Sequence, residues 1–141
     1  MHTMHTIYTT TAHATGDGRN GRATTDDGLL DIELRIPKEM GGAGGHTNPE
    51  QLFAAGYAAC FHSALKLVAG QAGANVNGTE VSATVGLGTT DTGAFNISVE
   101  LDVAMPNVDR ATAEQLVATA HQVCPYSNAT RGNVDVKLSI V

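Results

Sequence analysis

The stretch from Leu52 to Phe61 is uncharged, and every position along two to three helical turns is apolar or small. A segment without a polar face is typical of a helix that is buried on all sides. Its start is well marked, because Asn48 is a good cap, Pro49 suits the first helical position and Gln51 completes a capping box. The pattern predicts a central buried helix that begins at Pro49.

Other segments alternate between apolar and polar residues, which is the period of a strand with one wet face. A Thr-rich segment, 6–15, precedes a turn at 16–22 and predicts a first hairpin. A second hairpin is predicted with its turn at Asp91, Thr92 and Gly93. The alternating segments are 30–36, 81–87, 95–103 and 134–140.

A second helix is predicted from the cap Asp109 to Pro125, because its apolar residues recur at steps of three and four. The stripe consists of Ala113, Leu116, Val117, Ala120 and Cys124. No internal repeat or domain boundary is visible in the 141 residues. We therefore expect a single α+β domain over residues 1–141, with mostly antiparallel sheet.

The central helix needs apolar cover on every side, and one small sheet covers only one side. Two sheets or a partner subunit must supply the rest. We expect an intertwined homodimer whose two central helices are enclosed by strands of both chains. An intrachain sandwich stays open as the alternative.

Composition restricts the partners and the compartment. The net charge is −6 and the pI is near 5.3, with only eight Lys and Arg residues, so nucleic acid and anionic membrane surfaces are not expected partners. The first twenty residues lack the apolar core of a signal peptide, and no run is expected to be long enough to span a bilayer. A cytoplasmic location is expected.

In a reducing compartment, two cysteines are more often catalytic, redox-active or metal-binding than structural.

Cys60 and Cys124 both face the interior, from different helices, so their thiols can meet. If their Cα atoms come within about 4.4–6.8 Å, a disulfide can close and a two-electron redox cycle becomes possible. A free thiol with a pKa of about 8.5 is mostly protonated at neutral pH, so a buried nucleophile needs a nearby cation. Arg19 and Arg22 are better candidates for that cation than Lys66. The alternative is that Cys60 is only a small core residue.

Glu50 lies in the first turn of the central helix, where the helix dipole favours a carboxylate. From there it can hold an arginine fork whose other side faces the Cys60 thiolate. The simpler interpretation is that Glu50 only complements the dipole.

Two other classes of function are compatible with these residues. A zinc site could use Cys60, His62, His121 and Cys124, but Cys60 and His62 are two positions apart and face different sides of a helix. A non-enzymatic redox sensor, or a carrier of hydrophobic molecules, would use the cysteines only to register oxidation.

Two motifs resemble those of the organic hydroperoxide resistance (Ohr) proteins of the wider OsmC family. They are 48–61, NPEQLFAAGYAACF, and 124–133, CPYSNATRGN. The resemblance covers nearly the whole chain. It implies an intertwined α+β homodimer with two active sites at the subunit interface. It also implies a thiol peroxidase that reduces organic and fatty-acid hydroperoxides and is recycled by lipoylated proteins, an external dithiol, without a metal or bound cofactor.

The resemblance also implies residue roles. Cys60 corresponds to the peroxidatic cysteine, Cys124 to the resolving cysteine, Arg19 to the arginine that activates the thiolate, and Glu50 to the carboxylate that orients it. The loop departs from the family pattern in carrying a second arginine, Arg22, and Arg19 is preferred because it occupies the Gly-Arg-x-Gly position. An apolar substrate pocket that favours organic peroxides over hydrogen peroxide is expected from Leu52, Phe53, Tyr57 and Phe61.

Overall fold

The computed structural model describes residues 3–141 and divides into two compact units, which meet in sequence between Pro49 and Glu50. The first unit contains β1 (Ala12–Asp17), β2 (Asn20–Thr25), β3 (Asp31–Glu33) and a 3₁₀ turn (Lys38–Met40). Helix α1 (Pro49–Gln71) begins at the boundary. The second unit continues with β4 (Glu80–Thr89), β5 (Phe95–Ala104), α2 (Arg110–Val123), α3 (Pro125–Thr130) and β6 (Val136–Ile140).

The first unit is a three-stranded antiparallel sheet of order β1-β2-β3. The predicted first hairpin is confirmed, but its turn is shorter than expected. Asp17 pairs with Asn20, which leaves only Gly18 and Arg19 in the turn, with Gly18 at a φ of 60°. That left-handed conformation suits glycine, because a side chain there is strained. The strand also starts later than predicted, at Ala12.

Strand β3 is shorter than its alternating pattern suggested. Only Asp31–Glu33 pairs with β2, and Leu34 then forms an isolated parallel bridge with Thr47. Alternation reports which face of a segment is apolar, whereas a strand also needs a hydrogen-bonding neighbour along its length. The prediction of a strand over the whole of 30–36 was therefore too long.

The second unit contains a sheet of order β4-β5-β6. The predicted second hairpin is confirmed, since β4 and β5 pair antiparallel along their full length. Strand β6 lies parallel to β5, from the pair Val99 and Val136 to the pair Val103 and Ile140. Helices α2 and α3 form the crossover that a parallel neighbour requires. The α+β class with mostly antiparallel sheet is confirmed.

One contiguous apolar cluster joins α1, β5 and α2 in the second unit. Its fully buried side chains include Tyr57, Phe61, Leu65, Leu101 and Val103. Burial of each large apolar side chain contributes about 1.5–3 kcal/mol relative to leaving it exposed. The helix, the middle strand and the crossover helix therefore hold one another in place, and both cysteines belong to this assembly.

Helix α1 begins at Pro49 as predicted, but one chain does not bury all of its faces. Tyr57, Phe61 and Leu65 are inaccessible, whereas Ala55 is exposed and Leu67 is 55% exposed. The single chain therefore leaves part of α1 uncovered. Enclosure by a second copy stays a prediction.

The length of α1 also corrects one expectation. With 23 residues and a mean hydropathy of 1.4 in its most apolar part, it is long and apolar enough to cross a membrane by those criteria alone. The expectation that no run is long enough counted only the uninterrupted apolar stretch, and the helix extends beyond it through Lys66. Core helices pass the same test, and α1 contributes six buried residues to the core.

Candidate active site

The two cysteines lie side by side in the second unit. Both are free thiols, and Cys124 Sγ lies 3.4 Å from Cys60 Sγ, within sulfur hydrogen-bonding distance. Cys60 is half-buried in α1, whereas Cys124 is completely inaccessible at the junction of α2 and α3. The predicted meeting of the two thiols is therefore observed. One thiol is open to a reactant and the other is placed behind it.

Cys124 is positioned between the end of α2 and the start of α3. Helix α2 is capped by Asp109, whose side chain accepts a hydrogen bond from the Thr112 N–H at 3.1 Å, as predicted. The helix ends at Val123, and the C-cap residue Cys124 has an extended backbone because the α conformation is disfavoured before proline. Pro125 then occupies the first position of α3, which the sequence reasoning missed. The signal was present, because proline favours the first position of a helix as well as the end of one.

The surroundings of Cys60 act on its pKa in opposite directions. Burial raises the pKa of the Cys60 thiol, and a hydrogen bond from the Tyr126 main-chain N–H lowers it. Burial is the larger effect, and the neighbouring Cys124 adds to it, so the net direction is upward. The second unit does not by itself favour the thiolate, in agreement with the expectation that Cys60 needs a cation.

The Tyr126 ring rests against α1 at Gly56. A Cβ at Gly56 would lie 2.8 Å from the Tyr126 hydroxyl oxygen, so the glycine leaves the space that the ring occupies. The ring centroid lies 5.7 Å from that of Phe53 and 5.6 Å from that of Tyr57. This aromatic contact fixes α3 on α1 next to the thiols.

A buried polar cluster, absent from the sequence predictions, lies beside the thiols. Ser127 Oγ is 2.8 Å from the Tyr57 hydroxyl and 2.8 Å from His121 Nδ1. Tyr57 also approaches Thr130 Oγ1 at 3.3 Å, and Thr130 donates to the Ser127 carbonyl at 3.2 Å. Burial and the positive charge of Arg131 both lower the pKa of His121 and so favour its neutral form.

A cavity of about 490 Å³ opens at Cys60. Its lining, mostly apolar, is Cys60, Ser63, Ala64, Leu67, Val123 and Pro125. Leu67 lies two helical turns beyond Cys60, and Val123 precedes Cys124, so helical spacing was the signal that could have found them. None of the four predicted pocket residues lines this cavity. Tyr57 and Phe61 are inaccessible, Leu52 and Phe53 are half-buried, and their role as substrate contacts stays a prediction.

The predicted activating residues lie in different parts of the chain. Arg19 lies in the β1–β2 turn of the first unit, and Glu50 is the second residue of α1. Arg22 lies in β2, where its Nε is 2.7 Å from Asp31 Oδ1, and Glu33 lies 4.0 Å from its Nη1. The Arg22 guanidinium is thus committed to carboxylates of its own sheet. The roles of Arg19 and Glu50 stay predictions.

Among residues 3–141, no group of three or more His, Cys, Asp or Glu side chains is arranged to hold a metal ion. The alternative of a zinc site built from Cys60, His62, His121 and Cys124 therefore has no structural support. His121 contacts Ser127 instead.

Comparison with known proteins identifies the family. Residues 41–139 match the family model described as OsmC-like protein. The organic hydroperoxide resistance protein of Xanthomonas axonopodis pv. citri is 55% identical over 136 residues, which cover 95% of this chain and 94% of that protein. OhrB of Bacillus subtilis is 47% identical over 137 residues, covering 95% of this chain and 98% of that protein.

Solved structures agree with the sequence comparison. An organic hydroperoxide resistance protein from Legionella pneumophila superimposes with a TM-score of 0.92 at 51% identity, covering 96% of this chain and 98% of that one. The resemblance inferred from the two cysteine motifs is confirmed. The chain belongs to the OsmC-like family and shares the fold of its organic hydroperoxide resistance proteins.

Proposed function

We propose that this chain is a thiol-dependent peroxidase that reduces organic hydroperoxides, including those of fatty acids, to alcohols. The observation that carries the proposal is the 3.4 Å separation of two free thiols, one beside a cavity and one buried. Relatives that share 55% and 47% sequence identity with this chain are named for organic hydroperoxide resistance, which supports the same substrate class.

The Cys60 thiolate attacks the distal oxygen of the hydroperoxide and breaks the O–O bond. The alkoxide takes a proton and leaves as the alcohol, and Cys60 becomes a sulfenic acid. Cys124 then attacks the Cys60 sulfur, water leaves, and a disulfide forms. The peroxide has gained two electrons and the pair of thiols has lost two.

An external dithiol completes the cycle. It reduces the disulfide by thiol–disulfide exchange and is itself oxidised to a cyclic disulfide. By the family resemblance the dithiol is the lipoyl group of a lipoylated protein, and neither a metal nor a bound cofactor takes part. The same resemblance supports a homodimer, and the acidic composition supports a protein that binds neither nucleic acid nor membrane. We also propose a cytoplasmic location.

The assignment of the two cysteines follows their exposure. Cys60 lies at the cavity, where a peroxide can reach it, whereas Cys124 is inaccessible and can react only with its neighbour. Arg19 is proposed to favour the Cys60 thiolate and Glu50 to orient Arg19. The upward shift that burial imposes on the Cys60 pKa is the physical need for such a cation.

The apolar lining of the cavity supports a preference for organic peroxides. Each Å² of apolar substrate surface buried there contributes about 25 cal/mol, which hydrogen peroxide cannot obtain. A long-chain alkyl hydroperoxide should therefore have the higher kcat/KM. Equal values of kcat/KM for the two peroxides would contradict this preference.

The test is steady-state consumption of an alkyl hydroperoxide with dihydrolipoamide as reductant, repeated with a monothiol. The wild-type protein should turn over many times, with the dithiol as the better reductant. Cys60→Ser should abolish consumption. Cys124→Ser should allow one oxidation and then accumulate sulfinic acid at Cys60, detected by mass spectrometry.

The two variants are matched controls, because each removes one sulfur at one end of the same pair. Reversed phenotypes would exchange the two roles. A wild-type protein that oxidises once and does not turn over with any thiol would instead be a redox sensor, and the peroxidase proposal would be wrong.

A further inference from the structure

The buried polar cluster beside the thiols has no part in the peroxidase steps described above. It consists of His121, Ser127, Tyr57 and Thr130, joined by four hydrogen bonds. Tyr57 and Ser127 have no exposed surface, and Thr130 is 4% exposed. Buried hydroxyl groups must satisfy one another here, because an unpaired one is costly.

The direction of each hydrogen bond in this cluster follows from the fact that each hydroxyl group has only one hydrogen to donate. The Ser127 carbonyl oxygen can only accept, so Thr130 donates its hydroxyl hydrogen to it. Thr130 Oγ1 must then accept the hydrogen bond from the Tyr57 hydroxyl. Tyr57 has then used its hydrogen, and Ser127 donates to Tyr57. Ser127 has used its own in turn, so His121 Nδ1 must donate to Ser127. Only this direction satisfies all four contacts.

Each member of the chain is attached close to the reacting groups. Tyr57 lies one helical turn before Cys60 in α1. His121 lies three residues before Cys124 near the end of α2, and Ser127 lies three residues after it in α3. The N–H of Tyr126, the residue before Ser127, donates to Cys60. The directed hydrogen bonds therefore join α1, which carries Cys60, to α2 and α3, which meet at Cys124.

We propose that the Tyr57 hydroxyl, acting through Ser127, is a positioning group that holds Cys124 Sγ and the Tyr126 N–H against Cys60, with His121 as the Nδ1–H tautomer. The inference rests on the proposed function, in which Cys124 must reach the Cys60 sulfenic acid before a second peroxide does. Ser127 is the junction, since it contacts both His121 and Tyr57.

The first test measures the Cys60–Cys124 disulfide at equilibrium with oxidised and reduced dithiothreitol, in the full-length protein and without peroxide. Tyr57→Phe keeps the ring and removes the hydroxyl. The disulfide should become about tenfold easier to reduce, a shift of about 30 mV, because Cys124 is no longer held in place. Tyr8→Phe, at an exposed ring, is the matched control and should not shift the potential.

An unchanged potential in Tyr57→Phe would overturn the proposal. His121→Asn and His121→Leu separate positioning from general loss of packing. Asparagine keeps an N–H donor near the position of Nδ1 and should keep the wild-type potential, whereas leucine should shift it as Tyr57→Phe does. Equal shifts in the asparagine and leucine variants would contradict the directed chain.

The second test measures the tautomer of His121 in the folded wild-type protein and in Tyr57→Phe. NMR of the ring nitrogens of His121 at neutral pH should show a protonated Nδ1 and an unprotonated Nε2. In Tyr57→Phe the Ser127 hydrogen is released and can point to His121, so the Nε2–H tautomer should increase. An Nε2–H tautomer in the wild-type protein would refute the assignment.

Neither test depends on peroxide turnover. If the wild-type protein fails to consume alkyl hydroperoxide while the potential and the tautomer behave as expected, the proposed function is wrong and the positioning group stands. If the protein turns over and these two measurements do not change, the positioning group is wrong and the peroxidase stands.

Discussion

At the scale of the residue, the thiol proposed to attack peroxide lies in surroundings that oppose its ionisation. Burial raises the pKa of Cys60, and one main-chain N–H from Tyr126 offsets only part of that effect. Since the thiolate is the nucleophile, the rate of the first step should rise with pH until the pKa is passed. A cation near Cys60 would lower the pKa of the thiol, so the reaction rate would rise at a lower pH.

Replacement of Arg19 by Ala tests which residue supplies the cation. The pKa of Cys60 should rise, and each unit of rise costs about 1.36 kcal/mol and lowers the thiolate fraction at neutral pH about tenfold. The shift in the Cys60 pKa is measured in a Cys124→Ser background, from the thiolate absorbance as a function of pH. The pH profile of Cys60 alkylation gives the same pKa independently. Arg19→Lys should restore it only in part, because the planar fork is lost.

Arg22→Ala is the matched control for Arg19→Ala. Arg22 is held by Asp31 and Glu33, so its removal should affect the first sheet more than the thiol. A larger change in the Cys60 profile for Arg22→Ala than for Arg19→Ala would show that Arg22 is the activating residue.

At the scale of the element, the site depends on how closely α3 lies on α1. Gly56 permits the contact, since the Tyr126 ring fills the space that a side chain at this position would need. The main-chain N–H of the same tyrosine donates to Cys60. Helix packing and the electrostatics of the thiol are therefore coupled through one residue.

Replacement of Gly56 by Ala tests this coupling. Alanine is favoured over glycine inside a helix by up to about 1 kcal/mol, but the added Cβ collides with Tyr126. The free energy of unfolding should fail to rise, and the Cys60 pKa should increase as the Tyr126 N–H moves away. Urea denaturation and thiol titration measure the two effects.

Gly70→Ala is the control within the same helix, because nothing lies within 4 Å of the added Cβ. It should raise the free energy of unfolding by up to about 1 kcal/mol and leave the Cys60 pKa unchanged. If Gly56→Ala stabilises the protein as much as Gly70→Ala does, Tyr126 is not held as the structure indicates.

At the scale of the whole molecule, the exposed side of α1 is the feature that a single chain leaves uncovered. Ala55, Ala59 and Leu67 are exposed on a helix whose other side is fully buried. Small and apolar exposed residues on a long helix suit an interface better than solvent. This supports the homodimer that the sequence and the family resemblance predict.

The mass in solution tests the homodimer. Sedimentation should show twice the 14.6 kDa of one chain, independent of moderate dilution. Ala55→Arg places a bulky charge on the exposed side of α1 and should shift the mass toward one chain. Ala111→Arg, at an exposed position of α2, is the control and should remain dimeric. A wild-type protein with the mass of one chain would refute the prediction.

Much of the secondary structure was predictable because its signals are local. The cap at Asp109, the proline at the start of α1 and the period of two in β4 and β5 each depend on neighbouring residues, and the structure agrees with all of them. Strand ends were predicted less well, as at β3, because pairing depends on a neighbour that periodicity does not identify.

The candidate site divides in the same way. Apolar spacing alone indicated that Cys60 and Cys124 both face inward, and the motifs around them indicated the family. Their 3.4 Å separation, the hydrogen bond from Tyr126 and the cavity bordered by Val123 came only from the structure.

The sequence by itself therefore determined the two long helices, most of the strands, the family and the two cysteines, but not the short helix α3. The tertiary structure decided how the thiol environment is built. The thiol contact joins residues 64 positions apart, and the link between Tyr57 and Ser127 joins residues 70 positions apart. Hydrogen bonds over such separations depend on how α1, α2 and α3 pack on one another, and no local pattern of residues encodes that packing.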